Sequence, residues 1–521
     1  MKVTIKPMTP GVPRAARLRA YLASAIVTLG LAGAAMKAWA LQVDNGDHYR
    51  ELAKRQHELR QEIPAPRGEV TDTNGNPLAI SADADSIWAN PREVHDVTGT
   101  AEKLAALIHG DAATLEAKLA GDRGFVWIDR HVTPAVAKAV RDAKAKDKGK
   151  GLPGIEVVSE PRRWYPAKSV AGPVIGRADI DGNGLDGIEL SMNDLLKGKR
   201  GAVSALRDAR GHKMLGDELA PAQPGAHVRL TLDRSIQAIT DQALAEAVIA
   251  KNAKNGAAVV LDVATGKVLA LSSYPTFDPN GEYVNGARNR PVTDAYEAGS
   301  VMKVFTIAAA LEDGTVKPST GFVTGPGFRV PGRPRPITDV HAQPYLTVSE
   351  IIKVSSNIGA AKIALRLGSE KLHDYLKKFG FGAQSGIELP GEQTGKLRPG
   401  STWRDSELAT MAFGYGLTVT PLQIAAGLAA IGNRGVYHAP RIVEEVIGDD
   451  GQVIYRGNGE AKQMISAKTA EQMRVMLASV FEKAHGPGTL GGTAKDINVP
   501  GFRCGGKTGT AHKYDPAIKT Y

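Results

Sequence analysis

Cysteine is all but absent from this 521-residue chain: Cys504 stands alone, so no disulfide can close within it. One thiol suits an exported protein that avoids accidental bridges, and a cytosolic enzyme equally. Aromatic residues are scarce at 5%, too few for a surface built on many stacked rings. No repeat of 20–50 residues is visible, which sets aside solenoids and propellers. Acidic residues are missing from the first 43 positions, the earliest being Asp44. What is present is globular: 42% hydrophobic and 23% charged residues exclude bulk disorder, a collagen-like repeat and a disulfide scaffold. At roughly 150 residues per domain the length predicts two to four folded units. Lys and Arg exceed Asp and Glu by 65 to 55, and the net charge of +10 suits a nearby anionic surface, whether headgroups, a cell-wall polymer or nucleic acid.

The one long apolar run lies near the N-terminus. Residues 20–36 carry no charge, and Lys2, Lys6, Arg14, Arg17 and Arg19 precede them. Seventeen residues are at the short end of what crosses a bilayer. The one-sided basic flank predicts a cytoplasmic N-terminus with the remainder outside. Tyr21 and Trp39 are placed for the two headgroup levels. Ala38-Trp39-Ala40 has the small residues of a signal-peptidase site, but the run exceeds a signal core of about 7–15 residues and Lys37 crowds the position. The expectation is an uncleaved anchor over residues 20–37 behind a cytoplasmic tail of residues 1–19.

Residues 49–62 are polar and helix-favouring until Ile63-Pro64-Ala65-Pro66 interrupts them. Asn74-Gly75 predicts a tight turn between two short strands. Residues 99–150 are rich in Ala and Lys with helical spacing, and residues 144–150 read as a solvated helix end. From residue 154 to 210 short β-like pieces alternate with Gly/Asp turns. Pro221-Ala222-Gln223-Pro224-Gly225 marks a domain boundary, giving a first domain over 38–225 and a second over 226–521. In the second, residues 257–261 and 268–272 predict a hairpin. Thr347-x-x-Glu350 predicts a capping box, and Thr420-Pro421 a helix start with proline in its first turn. A helix is expected over 467–484, and a short strand over 505–511.

Two motifs mislead. Gly501-Phe502-Arg503-Cys504-Gly505-Gly506-Lys507-Thr508 satisfies G-x-x-x-x-G-K-T, yet Gly509 and Pro516 discourage the helix whose N-terminus a phosphate loop requires. Asp179-x-Asp181-x-Asn183-Gly184 begins like a calcium loop, but its twelfth position is Leu190 where a bidentate Glu is needed. Cys504 is expected to be a small buried hydrophobe without a catalytic part.

The chemistry is carried by three elements in order. Ser300-Val301-Met302-Lys303 places a hydroxyl and an amine three residues apart on one helix face, with the serine near the positive end of the dipole. A lysine with its ordinary pKa of about 10.4 is a poor base at neutral pH, and burial beside another cation makes it a competent one. Ser355-Ser356-Asn357 offers a second hydroxyl and an amide that both donates and accepts. Lys507-Thr508-Gly509-Thr510 offers a cation, two hydroxyls and a glycine past which a ligand backbone can run close.

The ordered set S-x-x-K, S-x-N, K-T-G resembles the signature of penicillin-binding proteins and serine β-lactamases. Tyr296-Glu297-Ala298-Gly299-Ser300, Leu230-Thr231-Leu232-Asp233 and Ala412-Phe413-Gly414-Tyr415-Gly416 are similar to further blocks of that family. Arg67-Gly68-Glu69-Val70-Thr71-Asp72, Arg163-Trp164-Tyr165-Pro166 and Gly187-Ile188-Glu189 resemble the pedestal of its class B members, and Lys353-Val354-Ser355-Ser356-Asn357-Ile358-Gly359 with Phe413-Gly414-Tyr415-Gly416 is similar to those of the division type. The resemblance implies an α+β chain: a transmembrane helix, an elongated mixed pedestal (dimerisation-like) domain, and a transpeptidase domain of antiparallel sheet with flanking helices. Family members continue past K-T-G-T, so it also implies that the last strands and helix are missing here.

What the resemblance implies chemically is acyl transfer on peptidoglycan stem peptides at the septum. Ser300 would attack the donor, Lys303 would be its base, and Ser355 would relay a proton to the leaving amine. Asn357 would hold Lys303 and the substrate amide. Lys507, Thr508, Gly509 and Thr510 would bind the terminal carboxylate, with the backbone N–H groups of Ser300 and Thr510 as oxyanion hole. No metal or organic cofactor is implied. The implied partners are stem peptides or lipid-linked precursor strands, β-lactams, the membrane, a septal glycosyltransferase and other divisome membrane proteins, and no nucleic acid. A non-catalytic β-lactam-binding module, and hydrolysis by the same site as carboxypeptidase or β-lactamase, are the alternatives.

Overall fold

The computed structural model describes residues 14–40, 58–149, 151–207, 213–486 and 488–512. It divides into two compact units, residues 1–64 with 200–222, and residues 65–199 with 223–521.

In the first unit the helix Arg14–Trp39 contains the whole apolar run, with mean hydropathy 1.5 in its best window. Its 26 residues span about 39 Å at 1.5 Å per residue, more than the roughly 30 Å of a hydrocarbon core. Leu22, Ile26, Leu29 and Met36 are all exposed, so the described residues bury none of this apolar surface. The helix is long and apolar enough to cross a membrane once. The other element is an antiparallel three-stranded sheet in the order Glu58–Ile63, Gly201–Arg207, Lys213–Ala220. The helix expected over 49–62 is therefore corrected over its described part: Glu58 to Ile63 form a strand, because pairing with residues 201–206 satisfies their backbone and overrides helix propensity. Residues 49–57 lie outside the described residues.

The second unit is organised by a seven-stranded sheet. Its path runs Val453–Arg456, Val443–Ile447, His227–Leu230, Val70–Thr71, Pro77–Ala89 and Val126–Val132, with Ile155–Trp164 pairing Pro77–Ala89 as well. Val70 aligns with Val228 in parallel, and Val446 aligns with Val228 antiparallel on its other side. Val70, Val228, Leu230, Val443 and Val446 are fully buried in one core with Leu271 and Leu422. Strands from both sides of the Pro221–Gly225 link thus share one sheet and one core. The Asn74-Gly75 turn forms as expected, with Gly75 at φ +83° and the Asp72 carboxylate accepting from the N–H groups of Asn74 and Asn76 at 2.9 and 2.8 Å.

The region 99–150 is helical at Val97–Ile108, Ala112–Leu119 and Pro134–Gly149. The strand Val126–Val132 interrupts it, seated along residues 85–89. Its β-branched and aromatic residues suit a half-buried edge, and Ile128 joins Ile87, Leu104, Leu115, Val140 and Ile155 in a local core. After Ile155–Trp164 the expected β-like pieces give way to single-turn helices Gly172–Ile175, Gly187–Ser191 and Asn193–Leu196. The Asp179 loop binds itself: the carboxylate accepts from Asp181 and Asn183 N–H groups at 2.9 and 2.8 Å, while Asp181 pairs with Arg130 at 2.8 Å.

One ion cluster locks these turns. Glu189, 0% exposed, takes Arg67 Nε at 2.5 Å and Arg163 Nε at 2.6 Å. Arg67 also donates to the Glu189 carbonyl at 2.6 Å and Asn193 Oδ1 at 3.0 Å, and Arg163 to the Gly68 carbonyl at 2.7 Å.

The site-bearing part contains the antiparallel hairpin Gly256–Leu261 with Val268–Tyr274. Around the buried helix Lys303–Glu312 pack Asn357–Leu367, Ser369–Lys378 and Ala467–Ser479, and its Phe305 lies beside Gly427 of the helix Pro421–Gly432. Phe305 sits edge-on to Phe379 and Phe381 at 5.2 and 4.8 Å. The expected capping box of Thr347 with Glu350 is present, and the expected helix start at Thr420-Pro421 is capped as well, by a further box of Thr420 with Gln423. Two expectations are corrected. The last long helix ends at Ser479, since Val480, Phe481 and Glu482 donate three residues back and tighten the chain into turns. Residues 505–511 form no strand: no described strand lies alongside to supply a ladder, and Gly506 N–H instead donates to the Leu477 carbonyl at 3.2 Å. Cys504 is half-buried rather than buried.

Candidate functional site

Ser300 enters the site on the one-turn 3₁₀ segment Gly299–Met302, which leads directly into Lys303–Glu312. The geometry depends on glycine. At Gly299 (φ +55°) a Cβ would stand 2.3 Å from the Thr510 carbonyl oxygen, and at Gly414 a Cβ would stand 2.2 Å from the Gly299 oxygen. Neither position has room for a side chain. These close approaches seat the Ser300 turn between the 412–416 loop and the K-T-G segment. Glu297 completes the support by accepting from Gly416 N–H at 2.7 Å.

Lys303 is 0% exposed. Its Nζ lies 3.0 Å from Ser300 Oγ, 2.6 Å from the Ser355 carbonyl, 3.1 Å from Ser355 Oγ and 2.7 Å from Asn357 Oδ1. Burial pushes its pKa well below the ordinary lysine value, the Lys507 cation pushes the same way, and Asp339 acts in the opposite direction. A neutral amine has two hydrogens and one lone pair. In that form the Ser355 carbonyl and Asn357 Oδ1, which can only accept, take both hydrogens and leave the single lone pair for one hydroxyl at a time, Ser300 Oγ at 3.0 Å or Ser355 Oγ at 3.1 Å.

Ser355 joins two helices, Val348–Val354 and Asn357–Leu367, at φ +63°, a left-handed conformation uncommon for serine. This aims its hydroxyl between the two lysines, with Lys507 Nζ at 2.8 Å. Lys507 also donates to the Thr508 carbonyl at 2.8 Å, and burial lowers its pKa to about 8. Thr508, Gly509 and Thr510 are exposed, and a Cβ on Gly509 would stand 2.7 Å from Val301 Cγ2. The structure therefore brings Ser300, Lys303, Ser355, Asn357 and Lys507 into direct hydrogen-bond contact. It sets Gly509 and Thr510 against the Ser300 turn.

Sequence reasoning missed Asp339. Its carboxylate accepts from Ser356 Oγ and Asn357 N–H at 2.5 Å each, and from Ile358 N–H at 3.0 Å. It thereby caps the Asn357 helix from a separate loop, whose Thr338 carbonyl accepts from Asn357 Nδ2 at 3.0 Å. A lone Asp between Thr and Val, eighteen positions before Asn357, gives no local signal. Asp339→Ala is expected to lower stability by about 0.5–2 kcal/mol, the scale of a lost helix cap. It should slow penicillin acylation about 10- to 100-fold by letting Ser355 and Asn357 shift. Stopped-flow acylation and thermal melts measure both, and an unchanged acylation rate would remove Asp339 from the site.

A serine held by a buried, depressed lysine at a helix start is the arrangement of serine–lysine acyl enzymes. Comparison with known proteins agrees. The penicillin-binding protein transpeptidase domain matches residues 256–521, and the penicillin-binding protein dimerisation domain matches 62–230. The chain belongs to the class B penicillin-binding proteins. The probable peptidoglycan D,D-transpeptidase PenA of Neisseria meningitidis is 35% identical over 95% of this chain and 82% of its own length. Peptidoglycan D,D-transpeptidase FtsI of Escherichia coli is 33% identical over 88% of this chain and 75% of its own. Penicillin-binding protein 3 of Mycobacterium tuberculosis, solved with aztreonam, superposes with TM-score 0.67 at 28% identity, covering 88% of this chain and 85% of that one. Penicillin-binding protein 2X of Streptococcus thermophilus shares the fold, with TM-score 0.70 at 23% identity over 89% of this chain and 72% of that one.

Proposed function

We propose that this chain is a membrane-anchored peptidoglycan D,D-transpeptidase of cell division, with a pedestal over residues 38–225 and a transpeptidase domain over 226–521. The observation that carries the reading is Lys303, fully buried with its Nζ 3.0 Å from Ser300 Oγ. In the reaction, Ser300 Oγ gives its proton to Lys303 Nζ and attacks the carbonyl of the donor peptide's penultimate D-Ala. The tetrahedral oxyanion is met by the backbone N–H groups of Ser300 and Thr510. Ser355 Oγ, in contact with both lysines, passes a proton to the departing D-Ala amine, and an ester on Ser300 remains. An acceptor amine from a second stem peptide then attacks that ester, the cross-link forms, and Ser300 recovers its proton. Asn357 holds Lys303 and the substrate amide, and Lys507, Thr508, Gly509 and Thr510 receive the donor's terminal carboxylate.

The basic residues Arg14, Arg17 and Arg19 at the start of the anchor favour a cytoplasmic N-terminus and an extracytoplasmic site, and the likeness to division transpeptidases supports placing that site at the septum. In this reading the partners there are lipid-linked precursor strands, a glycosyltransferase and other divisome membrane proteins.

Intact-mass analysis after incubation with a labelled penicillin tests the reading. A stable adduct on Ser300, together with cross-linked product from donor peptide and acceptor amine, is expected. Rapid loss of the adduct to water would overturn transfer in favour of hydrolysis, and absence of any adduct would make the chain a non-catalytic division protein.

A further inference from the structure

Thr493 lies in a glycine-rich stretch between the last long helix and the K-T-G segment, and no motif includes it. Its backbone is fixed on three sides. Its own N–H donates to the Lys353 carbonyl at 3.2 Å, two residues ahead of Ser355. The flanking N–H groups of Gly492 and Ala494 donate to the Glu482 and Val480 carbonyls at 2.8 and 2.9 Å. A Cβ on Gly492 would stand 2.1 Å from the Val480 oxygen, and Ala494 is buried in the core. An ion pair between Lys353 and Glu482 at 2.9 Å ties the same two backbones together. Despite this anchoring the Thr493 residue is exposed, and its hydroxyl accepts from Thr508 Oγ1 at 2.8 Å. Thr508 Oγ1 in turn stands 3.4 Å from Lys507 Nζ.

We infer that Thr493 is a specificity-determining residue, which sets the Thr508 hydroxyl for the terminal carboxylate of the substrate. The inference rests on the acyl-transfer reading and deepens it. A hydroxyl has one proton and two lone pairs. In the free site the Thr508 proton is directed to Thr493. A carboxylate entering beside Lys507 can only accept, so Thr508 must turn its proton toward the ligand. Thr493 then reverses its role and donates its own proton to the vacated Thr508 lone pair. The result is a chain, Thr493 O–H to Thr508 O–H to carboxylate, in which each bond polarises the next. Only a hydroxyl at position 493 can accept in one state and donate in the other. Because its backbone is pinned to the residue run that carries Ser355, the same contact keeps the carboxylate subsite in register with the proton-relay serine.

The test compares acylation of Ser300 by a penicillin and by the methyl ester of the same penicillin, which lacks the anionic carboxylate. The full chain is used with threonine, valine or serine at position 493. Thr493→Val, nearly isosteric, should slow the free acid by up to about tenfold, the upper scale of one neutral hydrogen bond. The ester should slow far less, so the acid-over-ester preference contracts. Thr493→Ser should keep the native preference, and melting temperatures of all three should agree. An equal fall for acid and ester would overturn the inference and leave Thr493 a packing residue. An unchanged acid rate in Thr493→Val, or serine behaving like valine, would overturn it as well. A native chain that acylates Ser300 with neither compound would instead overturn the acyl-transfer reading beneath it.

Discussion

Replacing Lys303 by methionine is expected to lower the rate of penicillin acylation at Ser300 by about 10²–10⁴-fold, the usual worth of a positioned base. Methionine fills the same buried space but cannot take a proton. The chain should still fold, because the helix Lys303–Glu312 is held by apolar packing of Phe305, Ile307 and Leu311. Two acceptors, the Ser355 carbonyl and Asn357 Oδ1, lose their donor, at a stability cost of about 1–3 kcal/mol. Retention of the native acylation rate in a folded Lys303→Met chain would sink the base assignment. The pH dependence gives an independent check. Burial, the main cause that lowers the Lys303 pKa, favours its neutral, basic form, so the acid limb of the rate is expected to follow its protonation. Lys507, lowered to about 8 by burial, loses its charge as pH rises through that value, and with it the attraction for the substrate carboxylate. The profile should therefore be a bell that falls above about pH 8, whereas a monotonic rise to pH 10 would contradict it. The folded chain also binds fewer protons at Lys507 than the unfolded chain between about pH 8 and 10.5. That group's contribution to stability accordingly grows as pH rises through this window.

Glu189→Ala is expected to destabilise the second unit by about 3–5 kcal/mol, the scale found when one partner of a buried ion pair is removed. Glu189 has no exposed surface, and its two carboxylate oxygens engage Arg67 and Arg163 separately. Without it, two guanidinium groups with side chains only 5% exposed would face each other uncompensated. The arginines also bond the Gly182, Gly68 and Glu189 carbonyls, so the turns around residues 182–193 should loosen with them. Urea denaturation should show a lower midpoint, and limited proteolysis should cut first near these turns. An unchanged midpoint would mean that apolar packing alone holds the region.

Much of this was legible in the residues because it is encoded locally. The N-terminal apolar run, the Asn74-Gly75 turn, the Thr347 capping box, the Thr420-Pro421 helix start and the S-x-x-K spacing are each set by neighbours a few positions apart, and each is in place. The failures are equally physical. Residues 58–62 read as part of a helix and residues 505–511 as strand, but a strand is decided by whether a partner edge arrives. Residues 201–206 supply one for the first, and no described strand supplies one for the second. Asp339 and Thr493 had no local signal, since their importance lies in contacts with residues 17 and 15 positions away on other loops.

By itself the sequence determined which groups could do chemistry: a serine and lysine one helical turn apart, a second serine with an asparagine, and a lysine followed by threonine and glycine. Only the tertiary structure lowers the Lys303 pKa, through its burial and the approach of Lys507 from 204 positions away. Only the tertiary structure joined the two sides of the Pro221–Gly225 link, through the pairing of Val70 with Val228 and of Val228 with Val446 in one sheet. The reason is common to both. Desolvation and backbone pairing depend on what surrounds a group in space, and spacing along the chain does not carry that information.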